Sequence, residues 1–365
     1  MPGLRELPKC MYRANAFILL QIVLIAAVCS LEPASSHAQL PATTHAPPQR
    51  KMPDVTVLHV NFHGWDAIVL RNRVAEVTVV PAIGRIMQFK FLSANNQNAA
   101  PQGVFWNNPA IGPQLTPDVE GWINYGGDKS WPAPQSNWPK TNGKTWPPPK
   151  TFDALPYAVS IQGDQVELLS SVDPNYGIRV RRTISVDPQD PALTIKTTFE
   201  KIEGAPVSVS VWSIAQLAMP EKAFILLPPQ SAFLHGYVNM LPPPPKGIKS
   251  DHRLLAMKPD QKQNIMIGSD GDTLLWVSTN SDLLMENKTA VLPASGIQWP
   301  DHGVHSKIYT SATGELKYME LELFTPLSLL KPGGIASMAS RYTLLRRTES
   351  DVTREAKKIF AASLN

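Results

Sequence analysis

The segment IRVRRTISVDPQDPALTIKTTFEKIEGAPVSVSVWSIAQ, residues 178–216, contains the pattern that decides the fold. Three runs rich in Val, Ile, Thr and aromatic residues occupy 178–185, 193–200 and 207–216, and a turn-forming Asp-Pro pair separates the first two. Short runs of this composition, divided by turn residues, are typical of antiparallel β-strands. The segment therefore predicts three successive strands.

The same pattern continues along most of the chain. A helical period occurs only near the C-terminus, where Val352, Ala356, Ile359 and Phe360 recur every three or four residues. Fifteen or so strands without intervening helices predict an all-β fold, a large antiparallel β-sandwich with one short C-terminal helix. The twelve further strand-like runs are 55–60, 67–70, 75–80, 86–91, 158–161, 166–171, 223–227, 264–269, 273–278, 307–310, 317–324 and 337–345.

The N-terminus has the pattern of an export signal. Basic residues precede an apolar run at 16–29, and small residues follow it up to Ala38. We expect residues 1–38 to be a cleaved signal peptide, 39–53 a disordered leader and 54–365 one domain. An alternative is lipid attachment at Cys29. Cleavage after Ala38 predicts a periplasmic or secreted protein without cysteines and without a membrane anchor.

Composition excludes several other classes of protein. The chain has 34 basic and 30 acidic residues and no basic stripe, so we expect no nucleic-acid partner. His59 and His63 have an HxxxH spacing, but they flank a predicted strand rather than lie on a helix, so we expect no metal site there. No phosphate loop or nucleophile-elbow motif occurs. We expect a monomer without a cofactor.

The most distinctive segment is GWINYGGDKSWPAPQ, residues 121–135. It combines three large aromatic residues with an acid, a base and two amides. A sugar site uses such a set, because aromatic rings stack on the C–H face of a pyranose while polar groups hydrogen-bond its hydroxyls. The segment predicts an exposed sugar-binding loop. The alternative is that the tryptophans close one end of the sandwich and the glycines only form turns.

Three segments together resemble the galactose-mutarotase-like superfamily: 124–135, 81–86 and 318–333. The first resembles a signature of a bacterial group within that superfamily. The second resembles an early strand whose Arg lies near the sugar ring, and the third resembles the strand with the catalytic glutamate of aldose epimerases. The resemblance implies a β-supersandwich with the sugar cleft on its concave sheet. It implies that Arg85, Asn124, Asp128, Lys129, Trp131 and Gln135 bind the sugar.

The run at 318–324 carries two acidic residues. On a strand, Glu320 and Glu322 lie on the same side, with their carboxylates roughly 7 Å apart. Like charges this close repel, so the more buried group should have a raised pKa, as a general base near neutral pH requires. The alternative is that both are solvated. The resemblance implies that Glu320 is the catalytic base, with Glu322 the reserve candidate.

The aldose epimerases also use a histidine as acid, on a strand near the middle of the chain. The comparable run here, 209–216, has no histidine, although Trp212 and Gln216 share a face and could line the cleft. The acid would then come from elsewhere, and the candidates are His235, His302, His305 and Lys129.

Two functions therefore remain open. One is an exported mutarotase or epimerase that acts on a hexose or uronic acid. The other is a glycan-binding protein that has lost the acid and is not catalytic. A polysaccharide lyase of the same fold is a third alternative, but the chain has no room for the helical domain that usually accompanies it.

Overall fold

A computed structural model describes residues 54–92, 103–279, 281, 283–289 and 298–363. The predicted signal peptide, 1–38, and the predicted leader, 39–53, lie outside the described residues. None of the helices in the described ranges has the length and apolar character needed to span a bilayer.

Within these ranges the chain forms 21 strands and three α-helices. The helices are α1 (Trp138–Asn142), α2 (Lys150–Asp153) and α3 (Val352–Ser363). The strands are β1 (Thr56–Phe62), β2 (Trp65–Arg71), β3 (Ala75–Val80), β4 (Arg85–Phe91), β5 (Asp128–Ala133), β6 (Ala158–Gln162), β7 (Gln165–Val172), β8 (Ile178–Val186), β9 (Ala192–Lys201), β10 (Val207–Leu217), β11 (Lys222–Leu226), β12 (Val238–Asn239), β13 (Ile248–Asp251), β14 (Leu254–Met257), β15 (Ile265–Ser269), β16 (Thr273–Val277), β17 (Leu283–Thr289), β18 (Ser306–Ser311), β19 (Tyr318–Phe324), β20 (Ser328–Leu330) and β21 (Ile335–Arg346).

The strands form two antiparallel sheets. The first, here called the site sheet, has the order β1-β2-β3-β4-β5-β10-β19-β18-β15-β12, and β20 also pairs with β10. The second, here called the back sheet, has the order β13-β14-β11-β16-β17-β21-β9-β8-β7-β6. This arrangement confirms the predicted all-β sandwich.

One hydrophobic core lies between the sheets. Alternate residues of the strands contribute to it, such as Val77 and Val211 from the site sheet and Ile195 and Phe199 from the back sheet, all of which are buried. Burial of each such side chain contributes roughly 1.5–3 kcal/mol relative to leaving it in water. Apolar residues recur at every second position of these strands, and this alternation determines which face of each strand packs against the other sheet.

Helix α3 packs on the outer face of the back sheet. Its apolar residues Val352, Ala356 and Phe360 contact Phe224 and Leu275 in a second, smaller cluster. These are the positions at which the helical period was found in the sequence, so the predicted C-terminal helix is confirmed. It covers a part of the sheet that would otherwise expose apolar side chains.

The prediction of an exposed loop at 121–135 is wrong for residues 128–133, because they form β5, a buried strand in the middle of the site sheet. Gly126 and Gly127 adopt left-handed backbone with φ of 93° and 74°, and the strand begins directly after them. The carbonyl oxygen of Pro132 accepts a hydrogen bond from Trp138 Nε1 at 2.7 Å rather than from a strand. Pro132 is tolerated because β4 pairs with β5 only at Asp128, so no ladder is interrupted on that side.

Candidate functional site

Three neighbouring strands of the site sheet, β5, β10 and β19, present polar and aromatic side chains on one face. Trp131 lies opposite Trp212, and Gln216 lies opposite Glu320. Residues directly opposite in antiparallel strands share a face, and alternate residues of a strand do too. Ser213, which is adjacent to Trp212 on β10, lies 3.5 Å from the Tyr342 hydroxyl of the back sheet. The face that carries the four residues, and Glu322 with them, therefore points away from the back sheet.

A pocket of about 520 Å³ opens on this face. Its wall combines four tryptophans, two tyrosines and four acidic side chains with a few smaller groups. The residues that line it are Asp118, Glu120, Trp122, Trp131, Gln135, Trp146, Trp212, Leu241, Asn264, Met266, Tyr309, Tyr318, Glu320 and Glu322. The segment near 121–135 and the strand near 320 therefore meet at one opening.

Glu322 is the more buried of the two carboxyl groups on β19, with no exposed surface. Its Oε2 accepts a hydrogen bond from Trp212 Nε1 at 2.8 Å, and its buried Oε1 has no partner among the described residues. Burial raises the pKa of Glu322 to about 8, although Lys307 opposes the rise, and the charge of Glu320 adds to it. This carboxyl group therefore keeps its proton at neutral pH.

Glu320 has a different environment two residues earlier. Its Oε1 accepts a hydrogen bond from Gln216 Nε2 at 2.9 Å, and Lys129 Nζ lies 3.7 Å from the same oxygen. Burial raises the pKa of Glu320, while Lys129 and Gln216 act in the opposite direction. Lys129 lies 3.7 Å from Glu320, whereas Lys307, which is opposite Glu322 on β18, forms its ion pair with Asp301. We therefore assign the negative charge of the pair to Glu320.

Lys129 is on the same face of β5 as Trp131, and its ammonium is buried against the aromatic rings of the pocket wall. Its Nζ is 4.3 Å from the ring centre of Trp131 and 5.5 Å from that of Trp122, and it has no hydrogen bond within the described residues. Burial lowers the pKa of Lys129 to about 8, and the charge of Glu320 opposes this. Lys129 contacts the site through Glu320 and the rings rather than lining the pocket itself.

Asp153, which was not among the predicted site residues, holds two of the tryptophans in place. Its carboxylate accepts hydrogen bonds from Trp122 Nε1 and Trp131 Nε1, both at 2.9 Å. Arg85 forms an ion pair with the same carboxylate at 2.7 Å and donates to the carbonyl of Gly126. Arg85 thus supports the pocket wall from behind and does not line the pocket.

Asp128 and Asn124 also lie outside the pocket. Asp128 faces the opposite side of β5, where it pairs with Arg182 and accepts a hydrogen bond from the Tyr342 hydroxyl, both on the back sheet. Asn124 is buried beside Asn108 and lines a neighbouring depression. We therefore leave both out of the proposed site. Gln135 is exposed at the pocket edge.

The histidines that were candidates for the acid lie elsewhere. His302 and His305 line two other depressions, and His305 stacks on Trp299 with ring centres 3.6 Å apart. His235 is exposed and lies in a loop. Within the ranges that the structure describes, no histidine lines the pocket that contains Glu320.

Two tyrosines supply hydroxyl groups to the pocket. Tyr309 lies opposite Glu320 on β18, and its ring centre is 6.2 Å from that of Tyr318. Burial raises the pKa of both phenols, and the charge of Glu320 adds to the rise. Both hydroxyls therefore stay protonated and can donate hydrogen bonds. Tyr309 lies in the run 307–310, which the sequence predicted as a strand. That pattern does not reveal that β18 pairs with β19, so Tyr309 was not among the predicted site residues.

The chain matches no known family profile and no curated protein sequence. Solved structures are similar in fold. A galactose mutarotase-like protein from Lactobacillus casei has a TM-score of 0.52 at 11% identity, over 76% of this chain and 100% of that one. A candidate aldose 1-epimerase from Klebsiella pneumoniae has a TM-score of 0.52 at 10% identity, over 84% and 87%. A candidate mutarotase from Salmonella typhimurium has a TM-score of 0.51 at 11% identity, over 80% and 94%.

Proposed function

We propose that this chain, which has the galactose-mutarotase-like fold, binds a hexose or uronic acid in the pocket of the site sheet and interconverts its two anomers. The observation that carries the proposal is the pair Glu320 and Glu322, two buried carboxyl groups on one strand at the floor of an aromatic pocket. The signal-like N-terminus supports the further proposal that the activity is exported.

The composition of the pocket suits a sugar ring. The half-buried indole rings of Trp122 and Trp146, which line the pocket, offer apolar faces of the kind that stack on the C–H face of a pyranose. The hydroxyls of Tyr309 and Tyr318 and the amide of Gln135 offer donors and acceptors for its hydroxyl groups. A volume of about 520 Å³ falls within the usual range for a small-molecule site and exceeds what one monosaccharide needs.

Anomer exchange needs one base and one acid. The base removes the proton of the anomeric hydroxyl while the acid protonates the ring oxygen, so the ring C–O bond breaks and an open-chain aldehyde forms. Closure on the other face of the aldehyde reverses both transfers and returns both protons. Glu320, beside Lys129, acts as base, and the protonated Glu322 acts as acid.

The second candidate function is a glycan-binding protein without catalysis. The observation in its favour is that His235, His302 and His305 all lie outside the pocket, so the acid of the aldose epimerases has no histidine counterpart there. The two functions differ in whether Glu322 acts as the acid in place of that histidine.

Exchange of anomers followed by NMR separates the two functions. Wild-type protein should accelerate exchange of at least one sugar in a panel of hexoses and uronic acids. Glu320→Gln and Glu322→Gln should each reduce the rate about 100-fold or more, since each removes one proton-transfer group. The control is Glu200→Gln, which alters a glutamate on the back sheet. Binding without acceleration would instead support the glycan-binding protein.

A further inference from the structure

The proposed function leaves open whether the sugar is a hexose or a uronic acid, and we propose that the pocket narrows this choice: it prefers a hexose with a free ammonium group, an amino sugar, and binds uronic acids and sugar phosphates less tightly. This inference rests on the proposed function, because it names the class of sugar that the same pocket would take. It follows from the charges that line the pocket and from the aromatic rings between them.

The charged groups of the pocket wall are all acidic. Asp118, Glu120, Glu320 and Glu322 line it, and within the described parts of the chain no Lys, Arg or His does. The two nearby lysines already have acidic partners. Lys129 pairs with Glu320 at 3.7 Å, and Lys307 pairs with Asp301 at 2.6 Å. An anionic substituent on the ligand would therefore find no cation on the wall to bind.

Two of the four acids remain without a compensating charge. Lys129 offsets Glu320, and burial keeps Glu322 protonated. Asp118 and Glu120 are exposed at the pocket edge and form no ion pair within the described ranges. Asp118 Oδ1 accepts backbone hydrogen bonds from Glu120 and Trp122 at 3.0 and 2.8 Å, which fixes this acidic edge beside the pocket. The edge thus carries two negative charges.

The aromatic rings of the pocket wall also favour a positively charged ligand. Ring faces of tryptophan and tyrosine attract cations, and four tryptophans and two tyrosines line the pocket. The structure already shows such contacts: Lys129 Nζ lies 4.3 Å from the centre of the Trp131 ring, and Lys307 Nζ lies 5.0 Å from that of Trp212. The buried Oε1 of Glu322, which has no partner among the described residues, is a further polar atom available to a ligand at the floor.

A panel of sugars that differ in one substituent tests the inference by calorimetry. It comprises glucose, glucosamine, N-acetylglucosamine, glucuronic acid and glucose 6-phosphate, with the galactose counterparts, at pH 6.5 and low salt. The amino sugar should bind about tenfold more tightly than its N-acetylated, neutral counterpart in at least one series. The advantage should shrink as salt is added, because the charges at the pocket edge are exposed to solvent.

Variants link the preference to the acidic edge. In the double variant Asp118→Asn, Glu120→Gln the affinity ratio between the amino sugar and its N-acetylated counterpart should fall to near one. Asp164→Asn, which removes an exposed acid from the turn between β6 and β7, is the matched control and should keep the ratio. A wild-type ratio near one, or a uronic acid that binds more tightly than the amino sugar, would overturn the inference while the proposed function stands. Failure of every sugar to bind would overturn both.

Discussion

Replacement of Glu322 by glutamine should change how the stability of the protein depends on pH. The pKa of this buried carboxyl group rises from 4.5 to about 8 on folding. The unfolded chain therefore releases the proton at a lower pH than the folded chain does. As pH rises from about 4.5 to about 8, the wild-type protein loses stability through this group, by up to about 4–5 kcal/mol.

Glu322→Gln keeps an acceptor for Trp212 Nε1 but has no proton to lose. The variant should be close to wild type in stability near pH 5 and progressively more stable than wild type toward pH 8. Urea unfolding of both proteins at pH 5, 6, 7 and 8 gives the difference in free energy of unfolding at each pH.

Glu200→Gln is a control, because folding shifts the pKa of Glu200 in the opposite direction to that of Glu322. Burial alone would raise the pKa of Glu200, but ion pairs with Arg181 and Arg179 outweigh it and lower the pKa. The stability that this group contributes is lost only as pH falls below about 4.5, so its variant should differ from wild type by a constant amount between pH 5 and 8. A flat difference for Glu322→Gln over that range would refute our view that this carboxyl group is protonated in the folded protein.

Three further substitutions test other parts of the site. Asp153→Asn should cost about 3–5 kcal/mol in urea unfolding, because Arg85 stays buried without its partner, and it should also weaken sugar binding by freeing two tryptophans. Lys129→Met should raise the pKa of Glu320 further, because the cation that opposes the effect of burial is lost, and this moves the low-pH limb of the anomer-exchange rate to higher pH. Asp128→Asn should cost about 3–5 kcal/mol in stability and leave the sugar affinity of the folded protein unchanged, since Asp128 faces the back sheet.

The fold was predictable because the period-two pattern is strong in most strands. The strands that sequence analysis missed are β5, β12, β13, β14, β17 and β20. Several are short and lie in segments rich in Pro and Gly, which are typical of turns. Strand β5 is the clearest case, since Gly126, Gly127 and Pro132 indicated a loop. Its place in the sheet depends on hydrogen bonds to β10, more than 70 residues later, and no local pattern reveals them.

The same error explains the assignment of Asp128 to the sugar site. In a loop, Asp128 and Lys129 could both point to a ligand, but in a strand adjacent residues face opposite sides. The placement of Glu320 and Glu322 on one face of a strand was predictable, because alternate residues of a strand share a face. The role of Asp153 could not be found this way, because its partners Trp122 and Trp131 are 31 and 22 residues away in the chain.

A crystal of the protein soaked with a hexose or hexosamine would show directly whether the pocket of the site sheet binds a sugar. We predict a sugar ring in the pocket of the site sheet, stacked on Trp122 or Trp146, with its anomeric hydroxyl within about 3.2 Å of Glu320. A sugar bound only in another depression, or an empty pocket at a concentration that saturates the protein in solution, would contradict the proposed function.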